Sequence, residues 1–252
     1  MRHRPLGLGV SGLQDLLFKR RLPFDSAGAR EVNKKVFEAI YFGAMQMSVE
    51  LARCNGPYAS YEGSPLSKGK LACDLWGSEP QMHEYFDWEG LRRDLAAFGA
   101  RNSLLIALMP TASSSTLLGV NECFEPITAN VYLRKTLSGE FVLINRYLVQ
   151  DLCERGIWSD DLAQQLIAAN GSVSEIEGVP TDIKALYRTA WEISNRAIID
   201  MAAERHPWVC QSQSMNLFLK HPTASSLTRM YYYAFNKGLK SIVYYLRMQP
   251  KA

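Results

Sequence analysis

The sequence predicts an α/β protein, helix-rich and with a partly parallel sheet. Three features point there. Leu104-Leu105-Ile106-Ala107-Leu108-Met109 is a short, wholly apolar run closed by Pro110. A hairpin signature surrounds Ser138-Gly139, and helical periodicities lie between and around these segments. No internal repeat and no Pro/Gly/Ser linker splits the 252 residues, so residues 1–252 read as a single domain with a sizeable core.

The elements follow in chain order. From Ser26 to about Arg53 the apolar residues Val32, Val36, Phe37, Ile40, Ala44, Met47 and Leu51 recur at spacings of three and four, which predicts a long amphipathic helix. A Gly/Pro/Ser-rich stretch from Gly56 to Gly69 ends it in a loop, and Trp88 to Phe98 reads as helix again. The run from Leu104 to Met109 is too short for a helix and fits a strand buried on both faces. Val131 to Leu137 and Glu140 to Asn145 flank Ser138-Gly139 as the arms of a two-residue hairpin.

Three helices are expected next. The first runs from Arg146 to Glu154, and the second is capped by Ser159 and stops near Gly171. The third runs from Asp182 to Glu204 and buries Ile183, Leu186, Ala190, Ile193, Ala197 and Met201. Met215 to Leu219 is a short strand, Thr223 caps a helix ending at Gly238, and Leu239 to Arg247 is a last strand.

Composition narrows the function classes. Hydrophobic residues make up 47% and charged residues 21%, as in ordinary globular proteins. A formal charge of +3, with acids interleaved among the Lys and Arg residues, gives no concentrated basic stripe for nucleic acid. No apolar run approaches the length of a membrane span, and Met-Arg-His-Arg-Pro lacks the apolar core of a secretory signal. Five cysteines, Cys54, Cys73, Cys123, Cys153 and Cys210, are widely spaced and odd in number, which argues against a disulfide framework or a zinc site and for a reducing, cytoplasmic setting. The four histidines, His3, His83, His206 and His221, lack ligand spacing and are expected at the surface or at caps; no metal site is predicted.

Two segments are candidates for chemistry. Pro110-Thr111-Ala112-Ser113-Ser114 follows the apolar run, where a strand-to-helix turn with small side chains and three hydroxyls could cradle phosphate oxygens on converging backbone N–H groups. Ser and Thr also occur in such turns merely as caps. Tyr244 and Tyr245 are adjacent, and in a strand they would point to opposite faces. They fit either an aromatic-rich strand or a pair that passes an electron and a proton between phenols.

Further segments join these two into a pattern. They are His3-Arg4-Pro5-Leu6-Gly7-Leu8-Gly9-Val10, Gly56-Pro57-Tyr58, Tyr61-Glu62-Gly63-Ser64-Pro65, Arg101-Asn102-Ser103-Leu104, Leu137-Ser138-Gly139-Glu140-Phe141, Trp191-Glu192-Ile193-Ser194, Gln211-Ser212-Gln213-Ser214 and Tyr244-Tyr245-Leu246-Arg247. With them the chain resembles, over nearly its full length, the C-terminal part of the large subunit of class I ribonucleoside-diphosphate reductases. The resemblance implies a ten-stranded α/β barrel, of which this chain would form the C-terminal half. It implies a ribonucleoside diphosphate held by Pro110, Thr111, Ala112, Ser113 and Ser114, and a radical relayed through Tyr244 and Tyr245. The family reduces ribonucleoside diphosphates to deoxyribonucleoside diphosphates for DNA synthesis. Its implied partners are the small subunit, which generates a metal-dependent radical, and a second large subunit. ATP and dNTP effectors act as regulators, and thioredoxin or glutaredoxin is the reductant.

Departures accompany the likeness. The family's Asn-x-Cys-x-Glu motif, its reducing cysteine pair and its ATP-binding cone precede the matched region, and a cysteine-bearing tail usually follows the tyrosines. None of the five cysteines matches a catalytic one, each being expected as a small buried residue, and Cys210 stands where relatives carry an acid. The chain is therefore expected to be a truncated product, a misplaced start or one piece of a split protein, inactive alone. The alternative is a non-catalytic interaction protein that binds the reductase subunits. A half-barrel would also leave sheet edges open and be poorly soluble by itself.

Overall fold

The computed structural model describes residues 2–75, 82–136 and 139–249. Helix α1 (Leu13–Lys19) precedes α2 (Ala27–Asn55), which Ser26 caps by accepting from Ala29 N. Gly56, at φ 73, ends α2 in a conformation that favours glycine. Asp87 caps α3 (Trp88–Phe98) by accepting from Gly90 N. Then come α4 (Ala112–Leu118), the hairpin strands β1 (Val131–Thr136) and β2 (Gly139–Ile144), α5 (Arg146–Glu154), and α6 (Asp160–Ala168) behind its cap Ser159. Helices α7 (Thr181–Leu186) and α8 (Asn195–Arg205), strand β3 (Asn216–Leu219), α9 (Ala224–Asn236) and strand β4 (Tyr245–Met248) complete the order.

Extended segments in a parallel series form the floor of the molecule. Leu8 bridges Ile106, Leu108 bridges Gln213, and β3 pairs with β4, in each case in parallel. The backbone bonds Ala107 N to Leu8 O, Gln211 N to Ile106 O, Ser214 N to Leu108 O and Tyr244 N to Met215 O stitch neighbours together. Each crossover passes through helices, as parallel pairing requires. The main core lies against this floor: Phe37, Tyr41 and Met45 of α2, Leu91 and Leu95 of α3, Ile198 and Met201 of α8, and Trp208 pack with Ile106, Leu108 and Leu217. A second core gathers Phe18, Leu148, Leu152, Leu166, Ile183 and Tyr187 under the hairpin.

Several expectations need correction. The helix predicted from Asp182 to Glu204 is two helices, α7 and α8, and its apolar stripe belongs to both cores, Ile183 and Leu186 to one and Ala190, Ile193 and Met201 to the other. Glu192 causes the break, because its carboxylate accepts from Thr189 N, Thr189 Oγ1 and Ser172 Oγ and from the Ser174 hydroxyl, while Ser194 starts a new helix by accepting from Ala197 N. The run from Leu104 is extended but joined only by isolated bridges; Leu105, Ile106 and Leu108 are buried, whereas Leu104 and Met109 at its ends are exposed. Gly139 pairs with Thr136 and so begins β2 instead of closing the hairpin turn; Leu137 and Ser138 lie outside the described residues.

The last strand is Tyr245–Met248, not Leu239 to Arg247, since its partner β3 is only four residues long. Cys54 and Cys153 are exposed, not buried. His206, expected at the surface or a cap, is buried, and desolvation together with the nearby Lys240 ammonium lowers its pKa to about 4.

Candidate functional site

Pro110 ends the extended segment and Thr111 turns the chain into α4. Thr111 sits at φ 56, ψ 20, a left-handed conformation that a β-branched residue rarely adopts. Its hydroxyl does not cap the helix; Oγ1 instead accepts from Cys123 N at 2.8 Å, which ties the turn to the loop that follows α4. Ser115 Oγ donates to Thr111 O and Thr116 Oγ1 to Ala112 O, so hydroxyls fasten the carbonyl side of the turn. The N–H groups of Ala112, Ser113 and Ser114 have no acceptor within the helix, and all three residues are exposed. The turn thus presents donors outward on a fixed backbone.

Tyr244 and Tyr245 do not diverge as they would in a regular strand. Tyr244 precedes β4, and the two rings meet edge to face with centroids 4.4 Å apart. The neighbouring Tyr245 phenol raises the pKa of Tyr244. Both rings are about half exposed, and the Arg247 guanidinium lies 5.4 Å from the centre of the Tyr245 ring. These are polar, accessible aromatics.

Register relates the two candidates. Leu108, two residues before Pro110, bridges Gln213, and Met215, two residues after Gln213, accepts through its carbonyl from Tyr244 N, so the turn and the tyrosines adjoin opposite sides of the same segment. The residues between are anchored: Arg205, buried, donates to Gln213 Oε1 and Asn33 Oδ1 and lies 3.8 Å from the centre of the Phe124 ring. Burial lowers the Arg205 pKa to about 9. Cys123 Sγ lies 4.0 Å from Ser214 Oγ, and burial pushes its thiol pKa up to about 12.

A cavity of about 990 Å³ opens beside this floor, between the hairpin, the flank of α4 at Ser115 and Thr116, and Trp191, Phe218 and Arg247. It does not include Pro110 to Ser114 or either tyrosine. Glu125, at its wall, is buried and accepts from Asn216 N and Nδ2, both at 2.9 Å; desolvation raises its pKa despite these bonds. Sequence reasoning missed Glu125 and Asn216, because one acid in a loop and one amide in a strand carry no spacing signal.

Comparison with known proteins decides the family. The sequence model described as ribonucleotide reductase, barrel domain, matches residues 1–245. The chain belongs to the ribonucleotide reductase barrel family. Among its relatives, a ribonucleoside-diphosphate reductase large subunit of Caenorhabditis elegans is 52% identical over 250 residues, covering 99% of this chain and 32% of the relative. A ribonucleoside-diphosphate reductase large chain of Schizosaccharomyces pombe is 51% identical over 247 residues, covering 98% and 30%. In three dimensions this reductase barrel chain matches the Actinobacillus ureae class Id ribonucleotide reductase alpha subunit with a TM-score of 0.77 at 28% identity, over 98% of this chain and 39% of the other. The chain thus spans about a third of the length of the curated relatives it matches. Among the described residues, no helix of this reductase barrel chain is long and apolar enough to cross a membrane.

Proposed function

We propose that this chain supplies two parts of a cytoplasmic ribonucleoside-diphosphate reductase large subunit: a cradle for the substrate's diphosphate at Pro110, Thr111, Ala112, Ser113 and Ser114, and a radical relay at Tyr244 and Tyr245. Residues 1–252 form one domain in this reading, the C-terminal half of a ten-stranded barrel; the parallel series from Leu8 to β4 supports it. The observation that carries the cradle is Thr111 itself. A left-handed β-branched residue costs on the order of 1–3 kcal/mol, and such strain gathers where a ligand needs a fixed backbone. Three outward N–H groups and the hydroxyls of Ser113 and Ser114 then match a diphosphate's oxygens.

The relay reading rests on the phenol pair, in edge-to-face contact and about half exposed. Tyr231, Tyr232 and Phe235 of α9 are exposed aromatics that offer a partner such as the small subunit an apolar surface. The chemistry of reduction comes from elsewhere. Cys73 and Cys123 are buried with thiol pKa values near 12, Cys54 and Cys153 lie exposed on helices, and Cys210 Sγ accepts from Leu105 N and Ile106 N. Effectors, the metal-dependent radical source and the thiol reductant act on parts of the enzyme other than these two. The chain by itself gives no turnover.

Calorimetry tests the cradle. A nucleoside diphosphate binds while the matching nucleoside does not, and Thr111→Pro abolishes binding because proline cannot hold φ 56. Equal binding of nucleoside and diphosphate refutes it. For the relay, a tyrosyl radical made photochemically exchanges between the two rings in the wild type and stays on one ring in Tyr244→Phe or Tyr245→Phe, as read by electron paramagnetic resonance.

A further inference from the structure

Strand β3 has a neighbour on one side only for part of its length. The segment from Leu104 bonds Gln211 and Ser214 and then leaves the floor at Pro110. Beyond that point the same edge of β3 still presents Asn216 N and the N–H and C=O of Phe218, which no strand among the described residues meets. Side chains meet them instead. Glu125 Oε1 accepts from Asn216 N at 2.9 Å, while Asn195 Oδ1 accepts from Phe218 N and its Nδ2 donates to Phe218 O.

Glu125 grips Asn216 twice, its Oε2 accepting from Nδ2 at 2.9 Å. Flipping the Asn216 amide would set oxygen against carboxylate, so Glu125 fixes which way it points. The cost is visible: Asn216 Oδ1 is buried with no hydrogen-bond partner among the described residues. Asn216 is the register partner of Tyr245 across the β3–β4 ladder, so the two side chains leave the sheet on the same face.

We propose that Glu125 is a positioning residue for the tyrosine pair: it stands in for the missing strand at Asn216 and thereby fixes where β4 places Tyr245 against Tyr244. The role rests on the reading of the pair as a relay, in which a displaced ring breaks the phenol contact. Glu125 touches neither phenol; it acts through Asn216 and the ladder.

The test uses the full chain labelled with fluorotyrosine, with the fluorine NMR signals of Tyr244 and Tyr245 assigned through their Phe variants. Asn216→Asp sets two carboxylates against each other and shifts both signals by more than their linewidth. Adding Glu125→Gln restores the side-chain bond with its polarity reversed, Gln Nε2 donating to Asp Oδ while Gln Oε1 still accepts from the backbone N–H of residue 216, and returns the signals toward their wild-type positions. Tyr147 and Tyr187 in the second core stay unmoved throughout. Should Asn216→Asp not fold, Glu125→Gln alone, which keeps the shape and removes the charge, shifts the Tyr245 signal. Tyrosine signals that ignore the folded variants, or a shift that the second substitution leaves in place, overturn the proposal. The readout needs no radical, so failure of the relay leaves it intact and appears only in the photochemical experiment.

Discussion

The phenol rings of Tyr244 and Tyr245 meet edge to face at 4.4 Å although they are sequence neighbours. That contact exists because Tyr244 lies outside the ladder, where its backbone N–H donates to Met215 O. A regular strand would have sent the rings apart.

The contact predicts a titration. The Tyr245 phenol beside it raises the pKa of Tyr244. In Tyr245→Phe that hydroxyl is gone, and Tyr244 should titrate at lower pH than in the wild type. Fluorine NMR of the labelled chain through the alkaline range measures it directly, and an unmoved Tyr244 midpoint would refute the coupling of the two phenols.

Ser113→Asp separates ligand binding from helix stability. The site is the second position of α4, where a carboxylate favours the helix dipole by about 0.3–1 kcal/mol. The same carboxylate repels a diphosphate arriving at those N–H groups. Thermal stability should therefore stay level or rise while affinity for a nucleoside diphosphate falls about tenfold or more, a loss of roughly 1.4 kcal/mol. Unchanged affinity by calorimetry would remove the turn from the substrate site.

His206 predicts acid sensitivity. Its pKa is about 4 in the folded chain against 6.5 for an unperturbed histidine, so between those values the unfolded chain binds the extra proton. The stability this contributes is complete above pH 6.5 and is lost as pH falls toward 4, amounting to about 3 kcal/mol at 1.36 kcal/mol per unit. Replacing the imidazole by an amide that does not titrate, as in His206→Gln, should flatten the melting temperature across that window. A wild-type and variant difference that does not change with pH would exclude His206 as the cause.

Local signals were legible where one force acts alone. Periodicity placed α2, α3 and α5 within a residue or two, and Ser159 and Thr223 marked their helices by capping. The turn at Thr111 was legible as a hydroxyl-rich end to an apolar run, and its left-handed backbone was not, since φ follows from the bond to Cys123 N. Where tertiary contacts override the local pattern, the reading failed. The stripe from Ile183 to Met201 looked continuous because both cores demand the same spacing, and Glu192 breaks it through partners about twenty residues upstream in the chain, Ser172 and Ser174. Glu125 was invisible for the same reason, its role being fixed by an edge that Pro110 vacates.

That break supplies the last prediction. Glu192 is a half-buried carboxylate whose oxygens take four donors: Ser172 Oγ at 2.7 Å, the Ser174 hydroxyl, Thr189 N at 2.7 Å and Thr189 Oγ1 at 2.8 Å. These bonds lower its pKa against the opposing effect of burial. In Glu192→Ala the Thr189 N–H and three hydroxyls lose their acceptor at once, and the junction between α7 and α8 loses the group that stops one helix before the other begins. Hydrogen bonds to a charged group contribute about 1.5–3 kcal/mol each but do not add fully within one network, so a total loss of about 3–5 kcal/mol is expected. For a chain of this size that lowers the melting temperature by about 6–20 °C. Glu192→Gln keeps one acceptor oxygen and should fall between the two. If calorimetric melting shows Glu192→Ala within about 1 kcal/mol of the wild type, the junction is held by packing of Ala190 and Ile193 alone, and the carboxylate is incidental to the break.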